Sequence, residues 1–169
     1  MAATRRLAIE PLTISHAEDL HAALDDPAVA RYLLHPDVTT MGALRGRIEQ
    51  LAAGPPPERP GERWWNFAVR LAAERTIIGR LEATTYGDWG EIAYVFGPRW
   101  WGLGYATEAT RWLIDHLVAH AVTELWAAVH PANEPSKRLL ARLGFRAVVE
   151  PSRPVASFDP GDTAFVWRT

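Results

Sequence analysis

Hydrophobic residues recur with two different periods along this chain, and together these periods predict a mixed α/β fold. Alternating apolar and polar positions are typical of strands, whereas apolar residues three or four positions apart are typical of helices. The alternating segments are residues 6–12, 65–72, 76–85, 91–96, 125–129, 145–149 and 163–167. The helical segments follow Ser15, cover 28–34, run from Thr39 or Thr40 to Gly54, and cover 107–122 and 134–143. This order predicts a sheet of six to seven strands with about four helices against it.

Capping and turn residues mark several ends of these segments. Ser15, with Glu18 three positions later, predicts a capping box at the first helix. Gly144 follows the last helical segment and is expected to end it. Residues 87–90 read Gly-Asp-Trp-Gly, which predicts a turn between two strands with its tryptophan in a loop.

Length and composition limit the possible function classes. The chain has 169 residues, of which 48% are hydrophobic and 22% are charged, so we expect a single globular domain over residues 1–169. The net charge of −2 disfavours nucleic-acid and membrane partners. Cysteine is absent, which excludes disulfides and thiolate chemistry. No signal peptide or membrane span is recognisable, so we expect a cytoplasmic protein.

A glycine loop is the most informative motif. Residues 99–107 read R-x-x-G-x-G-x-A-T, between the apolar run Ile92–Phe96 and a helix that starts near Thr107. Gly102 and Gly104 allow a tight turn with exposed N–H groups, and the helix start adds partial positive charge. Such a loop predicts an anion site, most often for phosphate. It lacks the third glycine of a dinucleotide fingerprint and the Gly-Lys-Ser/Thr of a P-loop.

A second motif follows further along the chain. Asn133 and Ser136 begin the last predicted helix, and Leu-Gly-Phe ends it at residues 143–145. Taken alone, Asn133 is explained as a helix cap, with Pro135 in the first turn. This second motif indicates a function only when it is considered together with the glycine loop.

Together the two motifs resemble the GNAT superfamily of acyl-CoA-dependent N-acetyltransferases. The matching strings are residues 91–98, 102–109 and 130–136. They are similar to the branch that contains the ribosomal-protein N-terminal-alanine acetyltransferases and their small-amine relatives. The resemblance implies a GNAT fold, in which two strands of the sheet splay apart. It also implies acetyl-CoA as co-substrate and no metal.

The resemblance implies a donor site around the glycine loop. The loop amides would hold the pyrophosphate, and the backbone N–H of Tyr94 or Phe96 would polarise the thioester carbonyl. Asn133 would bond the pantetheine arm, while Arg99 and Arg138 are either phosphate partners or solvated charges. The implied cofactor-binding residues are Tyr94, Phe96, Arg99, Gly102, Leu103, Gly104, Tyr105, Ala106, Thr107, Asn133, Ser136 and Arg138.

Direct attack of an amine on the thioester requires a base and a donor to the leaving sulfur. Glu91 is the leading candidate for the base, with a water chain or a merely exposed strand-end carboxylate as alternatives. Many relatives carry a tyrosine acid in the last helix, where this chain has Leu140. That departure leaves Ser136 as the candidate donor to the sulfur.

The acceptor is expected to be a peptide N-terminus or a small amine, bound by a monomer or a homodimer. Tyr86, Trp89 and Glu91 are candidates to line the acceptor pocket. A non-catalytic acyl-CoA-binding module, a larger acyl group and a tryptophan-based interaction domain are the alternative interpretations. His116 and His120 lie on one helical face, but no third ligand is suggested, so no metal site is expected.

Overall fold

One mixed β-sheet organises the part of the chain that the computed structural model describes, residues 2–33 and 40–169. Its strands are β1 (Ala2–Ala3), β2 (Leu7–Pro11), β3 (Glu62–Leu71), β4 (Ile77–Tyr86), β5 (Trp89–Phe96), β6 (Glu124–Val129), β7 (Arg146–Val148) and β8 (Thr163–Arg168). The helices are α1 (Ala17–Leu24), α2 (Pro27–Ala30), α3 (Met41–Ala53), α4 (Tyr105–Val118) and α5 (Glu134–Arg142). The spatial order of the strands is β1-β2-β3-β4-β5-β6-β8-β7.

The mixed α/β fold expected from the sequence is therefore confirmed. The sheet has eight strands, one more than the largest expected number, because the two-residue β1 pairs with β2 through Ala2 and Ile9. A strand of that length is too short to show a hydrophobic period. Only β5 and β6 pair in parallel; every other pair of neighbouring strands in the described sheet is antiparallel.

Several helix starts differ from the sequence predictions. The capping box at Ser15 and Glu18 is wrong, because the Thr13 N–H donates to His16 Nδ1 at 3.0 Å and the first helical turn begins earlier. Thr40 caps α3 as predicted, since its Oγ1 accepts the Ala43 N–H. Leu34 and Thr39, which the sequence also placed at helix ends, lie outside the described residues.

Two further element boundaries near the site also differ from the sequence predictions. The helix expected over residues 107–122 begins at Tyr105, because the left-handed Gly104 (φ +81°) precedes it, and ends at Val118. The turn expected over residues 87–90 is shorter, and Trp89 begins β5 instead of lying in a loop. Gly144 follows the last helix with φ +92°, which confirms its predicted role in ending α5.

The two faces of the sheet are covered by different helices. Alternate β4 and β5 side chains, such as Leu81 and Ile92, share a core with apolar residues of α4 and α5. On the opposite face, Val95 packs with apolar residues of α1 and α3. We call these the α4/α5 face and the α1/α3 face. The charged residues Arg80 and Glu82 of β4 lie on the α1/α3 face, where Arg47 of α3 contacts Glu82.

Candidate acyl-transfer site

β5 and β6 pair along only part of their length. Residues Trp89–Glu91 pair with Glu124–Trp126, and no pairing continues beyond Glu91. β4 follows β5 as far as Phe96, while β8 follows β6 as far as Val129. Because each strand stays with its outer neighbour, the two strands diverge and leave an open gap in the sheet, which we call the splay. This is the splayed pair that the sequence resemblance implied.

Backbone groups of β5 line one edge of the splay. The Gly97 N–H donates to Ile78 O of β4 at 3.0 Å, and hydrogen-bonding directions alternate along an antiparallel strand. The N–H groups of Tyr94 and Phe96 therefore point away from β4 and into the splay. Consistently, Phe96 O accepts a hydrogen bond from Trp101 Nε1 at 2.6 Å rather than from β4.

The glycine loop lies beyond the end of β5, at the start of α4. Gly102 and Gly104 both have positive φ, at +75° and +81°. In the described part of the chain, the backbone N–H groups of residues 102–107 donate to no protein acceptor. Residues 101–104 are exposed, and Tyr105–Thr107 are partly so. A row of free N–H groups at a helix start is an arrangement suited to bind phosphate oxygens.

Contacts with the N-terminal segment hold this loop in place. Arg6 donates from its backbone N–H and from Nε to the Glu108 carboxylate, at 2.9 and 2.7 Å, and from Nη1 to Leu103 O at 3.0 Å. Thr4 Oγ1 also donates to Glu108, at 2.6 Å. Burial raises the pKa of Glu108, but the hydrogen bonds from Thr4 and Arg6 outweigh it, so the pKa lies below its usual value. Sequence patterns did not identify this anchor, since its partners are far apart in the chain.

Two exposed arginines flank the donor side. Arg99 lies near the Trp100 ring, at 5.7 Å from its centroid, and Arg138 lies on α5. Neither forms an ion pair with any residue in the described ranges. Both therefore remain candidate partners for phosphate groups.

The first turn of α5 faces the splayed half of β5. Asn133 caps this helix, with its Oδ1 accepting the Ser136 N–H at 3.2 Å. Ser136 Oγ lies 2.6 Å from the Tyr94 hydroxyl. Burial raises the pKa of Tyr94 to about 12, although the hydrogen bond to Ser136 lowers it. Leu140, which the sequence resemblance placed where many relatives carry a tyrosine, is fully buried in the core.

A cavity of about 750 Å³ opens on the other side of the splay. Ala93, Tyr94 and Val95 of β5 and Ala128 of β6 form its floor, so the cavity reaches the gap in the sheet. The walls comprise Arg31, Tyr32, Leu33, Ala43, Arg47, Gln50, Arg80, Glu82, His130, Ser157 and Asp162. Ala93 is exposed despite its position inside the sheet.

Charged residues from β4 and α3 form one wall of the cavity. Glu82 lies 3.0 Å from Arg80 Nε and 3.0 Å from Arg47 Nη2. The sequence interpretation missed this group. The sequence does contain a signal for this group, since Arg80 and Glu82 are charged residues on either side of Leu81 in a segment predicted to be a strand.

Glu91 lies beneath the loop that connects β7 and β8. Its carboxylate accepts the Ala156 N–H at 2.8 Å, the Ser157 N–H at 3.1 Å and the Ser157 Oγ–H at 3.0 Å. Glu91 is buried and is not among the residues that line the cavity, whereas Ser157 is. The Ser157 hydroxyl therefore lies between the cavity and the carboxylate of Glu91, the predicted base.

Tyr86 and Trp89 do not line the cavity either. Their rings stack at 4.4 Å and pack with Trp126 and Val155 under the same loop. Trp89 is buried because it belongs to β5 rather than to a loop. Their predicted contact with the acceptor therefore has no direct support in the geometry.

Glu124 anchors the loop between β7 and β8 at a second point, Arg153. It accepts hydrogen bonds from Trp126 Nε1, Arg153 Nε and Arg168 Nε. Burial opposes ionisation of Glu124, but these donors prevail and lower its pKa to about 2. The loop that carries Ser157 is thus anchored by two carboxylates.

The described residues contain no group of three or more potential metal-binding side chains. His116 and His120 pack instead with Trp65 of β3, at 5.1 and 4.6 Å between ring centroids. Within the same described ranges, no helix combines the length and apolar character needed to cross a membrane.

Comparison with known proteins identifies the family. Residues 6–146 match the model of the acetyltransferase (GNAT) domain. The N-acetyltransferase p20 of Bacillus licheniformis, itself uncharacterised, is 28% identical over 147 residues, which cover 85% of this chain and 80% of p20.

Solved structures show the same fold. A GNAT-family acetyltransferase from Bacillus anthracis superposes with a TM-score of 0.74 at 22% identity, over 97% of this chain and 94% of the other. RimL, a ribosomal L7/L12 α-N-protein acetyltransferase in complex with coenzyme A, superposes with a TM-score of 0.78 at 13% identity, over 99% and 96% of the two chains.

Proposed function

We propose that this chain, which belongs to the acetyltransferase (GNAT) family, transfers the acetyl group of acetyl-CoA to the primary amine of a peptide N-terminus or small molecule. The observation that carries the proposal is the splay between β5 and β6. It lies between the exposed glycine loop on one side and the 750 Å³ cavity on the other. Acetyl-CoA and the amine can therefore approach from opposite sides of the sheet and come into contact in the splay.

The donor side fits a CoA thioester. The N–H groups of residues 102–107, which donate to no acceptor among the described residues, match a pyrophosphate in charge and hydrogen-bonding capacity. Arg99 and Arg138 would add partners for phosphate, and Asn133 retains its side-chain N–H₂ for the pantetheine arm because only its Oδ1 is used in capping. The open edge of β5 suits an extended, amide-rich chain, which would pair with it as a further strand does.

Acetyl-CoA supplies the acetyl group as a thioester, whose sulfur leaves as the amine attacks. The N–H groups of Tyr94 and Phe96 point to the place where the carbonyl oxygen gains negative charge, and one of them would stabilise it. Ser136, in the first turn of α5, is the proposed hydrogen-bond donor to the sulfur.

On the acceptor side, Glu91 would accept the proton that the amine loses. The ammonium ion first loses a proton to water to become a nucleophile, and the attacking nitrogen loses a second proton as the C–N bond forms, so a base is needed. Ser157 Oγ lines the cavity and donates to Glu91 Oε2 at 3.0 Å, so it would take the amine proton while passing its own to the carboxylate. Tyr86 and Trp89 would support this arrangement from beneath the loop.

An amine panel tests the proposed activity. Acetyl-CoA is mixed with the protein and with peptides of different N-terminal residues or small amines, and the released thiol and the acetylated product are measured together. We expect equal amounts of thiol and acetylated amine for at least one acceptor class. CoA binding without acetylation of any amine would instead support a non-catalytic acyl-CoA-binding module.

A further inference from the structure

We infer that the Tyr94 hydroxyl is the positioning group that orients Ser136 as a hydrogen-bond donor to the sulfur of CoA. The inference deepens the proposed function and rests on it. It concerns the Tyr94 side chain, whereas the sequence resemblance assigned only the backbone of this residue. It also explains how the site can work with Leu140 in place of a tyrosine.

Tyr94 and Ser136 meet at the open half of β5. Tyr94 lies three residues beyond the last β5–β6 pair and contributes to the floor of the cavity. Its side chain packs on the α4/α5 face, and its hydroxyl oxygen is 2.6 Å from Ser136 Oγ. This contact bridges the splayed strand and the first turn of α5, so it lies beside the path that the thioester would take.

Either hydroxyl can donate in this hydrogen bond, and the inference assigns the donor role to Tyr94. The Tyr94 hydroxyl has a single proton, and its alternative acceptor, Ser136 O, is 3.5 Å away. In the inferred arrangement, with the CoA sulfur bound, the phenol donates to Ser136 Oγ, which lies closer at 2.6 Å. Ser136 Oγ makes no other hydrogen bond within the described ranges, so its own proton stays available for a third group. A hydroxyl that accepts a hydrogen bond is a stronger donor in turn.

Burial keeps the phenol in its donating form. Because the pKa of Tyr94 is raised to about 12, its proton stays in place throughout the neutral range. When the C–N bond forms and the C–S bond breaks, the electron pair remains on sulfur and receives a hydrogen bond from Ser136. No proton leaves Tyr94. The amine proton goes towards Glu91, and the thiolate takes its proton from water after release.

Titration of bound CoA tests this inference without any acceptor. The protein is saturated with CoA at each pH between about 6 and 9, a range in which tyrosine does not ionise, and thiolate absorbance is followed in the ultraviolet. We expect the pKa of the bound thiol to be lower in the wild type than in Tyr94→Phe or Ser136→Ala by at least about one unit. The double variant should match the single variants, since both hydroxyls act as one unit.

Control variants separate this role from general packing. Tyr86→Phe removes another partly buried phenol, on the opposite face of the sheet, and should leave the thiol pKa unchanged. Variants that bind CoA with the wild-type thiol pKa would overturn the inference. If Tyr94→Phe fails to fold, Tyr94→Met, which also lacks the hydroxyl, takes its place, because Ser136→Ala alone tests only the donor role of Ser136. Absence of CoA binding by the wild type would instead overturn the proposed function itself.

Discussion

The Gly104→Val variant should bind acetyl-CoA about 100-fold more weakly than the wild type in calorimetry. Gly104 has φ +81°, and a β-branched residue in this region costs about 1–2 kcal/mol. The loop would relieve this strain by rotating its peptide groups away from the pyrophosphate. Losing two hydrogen bonds to a charged group costs about 3–6 kcal/mol, so a 100-fold loss is a conservative expectation.

Gly87→Val is the matched control for backbone strain. Gly87 has φ +71° in the turn between β4 and β5, and a side chain there meets open space. Both substitutions should lower the unfolding temperature by similar amounts, but only Gly104→Val should weaken binding. Equal affinities of the two variants for acetyl-CoA would contradict the assignment of the loop as the pyrophosphate site.

The second large effect is expected at Glu91. Glu91→Gln should lower kcat by about 100-fold or more, a typical loss for a general base. The amide cannot take up a proton, and its nitrogen cannot accept from Ser157. The acetyl-CoA dissociation constant should stay unchanged, because Glu91 lies on the acceptor side beneath the Ser157 loop.

Ser157→Ala separates the proton-transfer role from the anchoring role. This change keeps both backbone hydrogen bonds to Glu91 and removes only the hydroxyl between the carboxylate and the cavity. If Glu91 acts through Ser157, kcat should fall in both variants. Wild-type kcat in Ser157→Ala, with a loss only in Glu91→Gln, would show that Glu91 merely anchors the loop or uses another route.

Local sequence features predicted the backbone conformation of the segments that form the proposed donor half. The glycines at 102 and 104, the following helix and the cap at Asn133 are all determined by residues close together in the chain. Their conformational demands are intrinsic, since positive φ and helix capping depend on a few neighbouring residues. The structure accordingly has positive φ at both glycines and a cap at Asn133, whereas α4 begins two residues before its expected start.

The acceptor half was much less predictable, because long-range packing determines it. Glu91 binds residues 65 and 66 positions later in the chain, and no periodicity signals such a contact. Trp89 was expected in a loop because glycines flank it, but pairing with β4 and β6 draws it into a strand. Arg80 and Glu82 are charged residues within a predicted strand, and the sequence alone does not show that they line a cavity.

A crystal structure with bound CoA tests the proposed site most directly. We predict the pyrophosphate on the N–H groups of residues 102–107, the pantetheine arm along the open edge of β5, and the sulfur within hydrogen-bonding distance of Ser136 Oγ. CoA bound elsewhere, or sulfur in contact with neither Ser136 nor the cavity floor at Ala93 and Ala128, would contradict transfer through the splay.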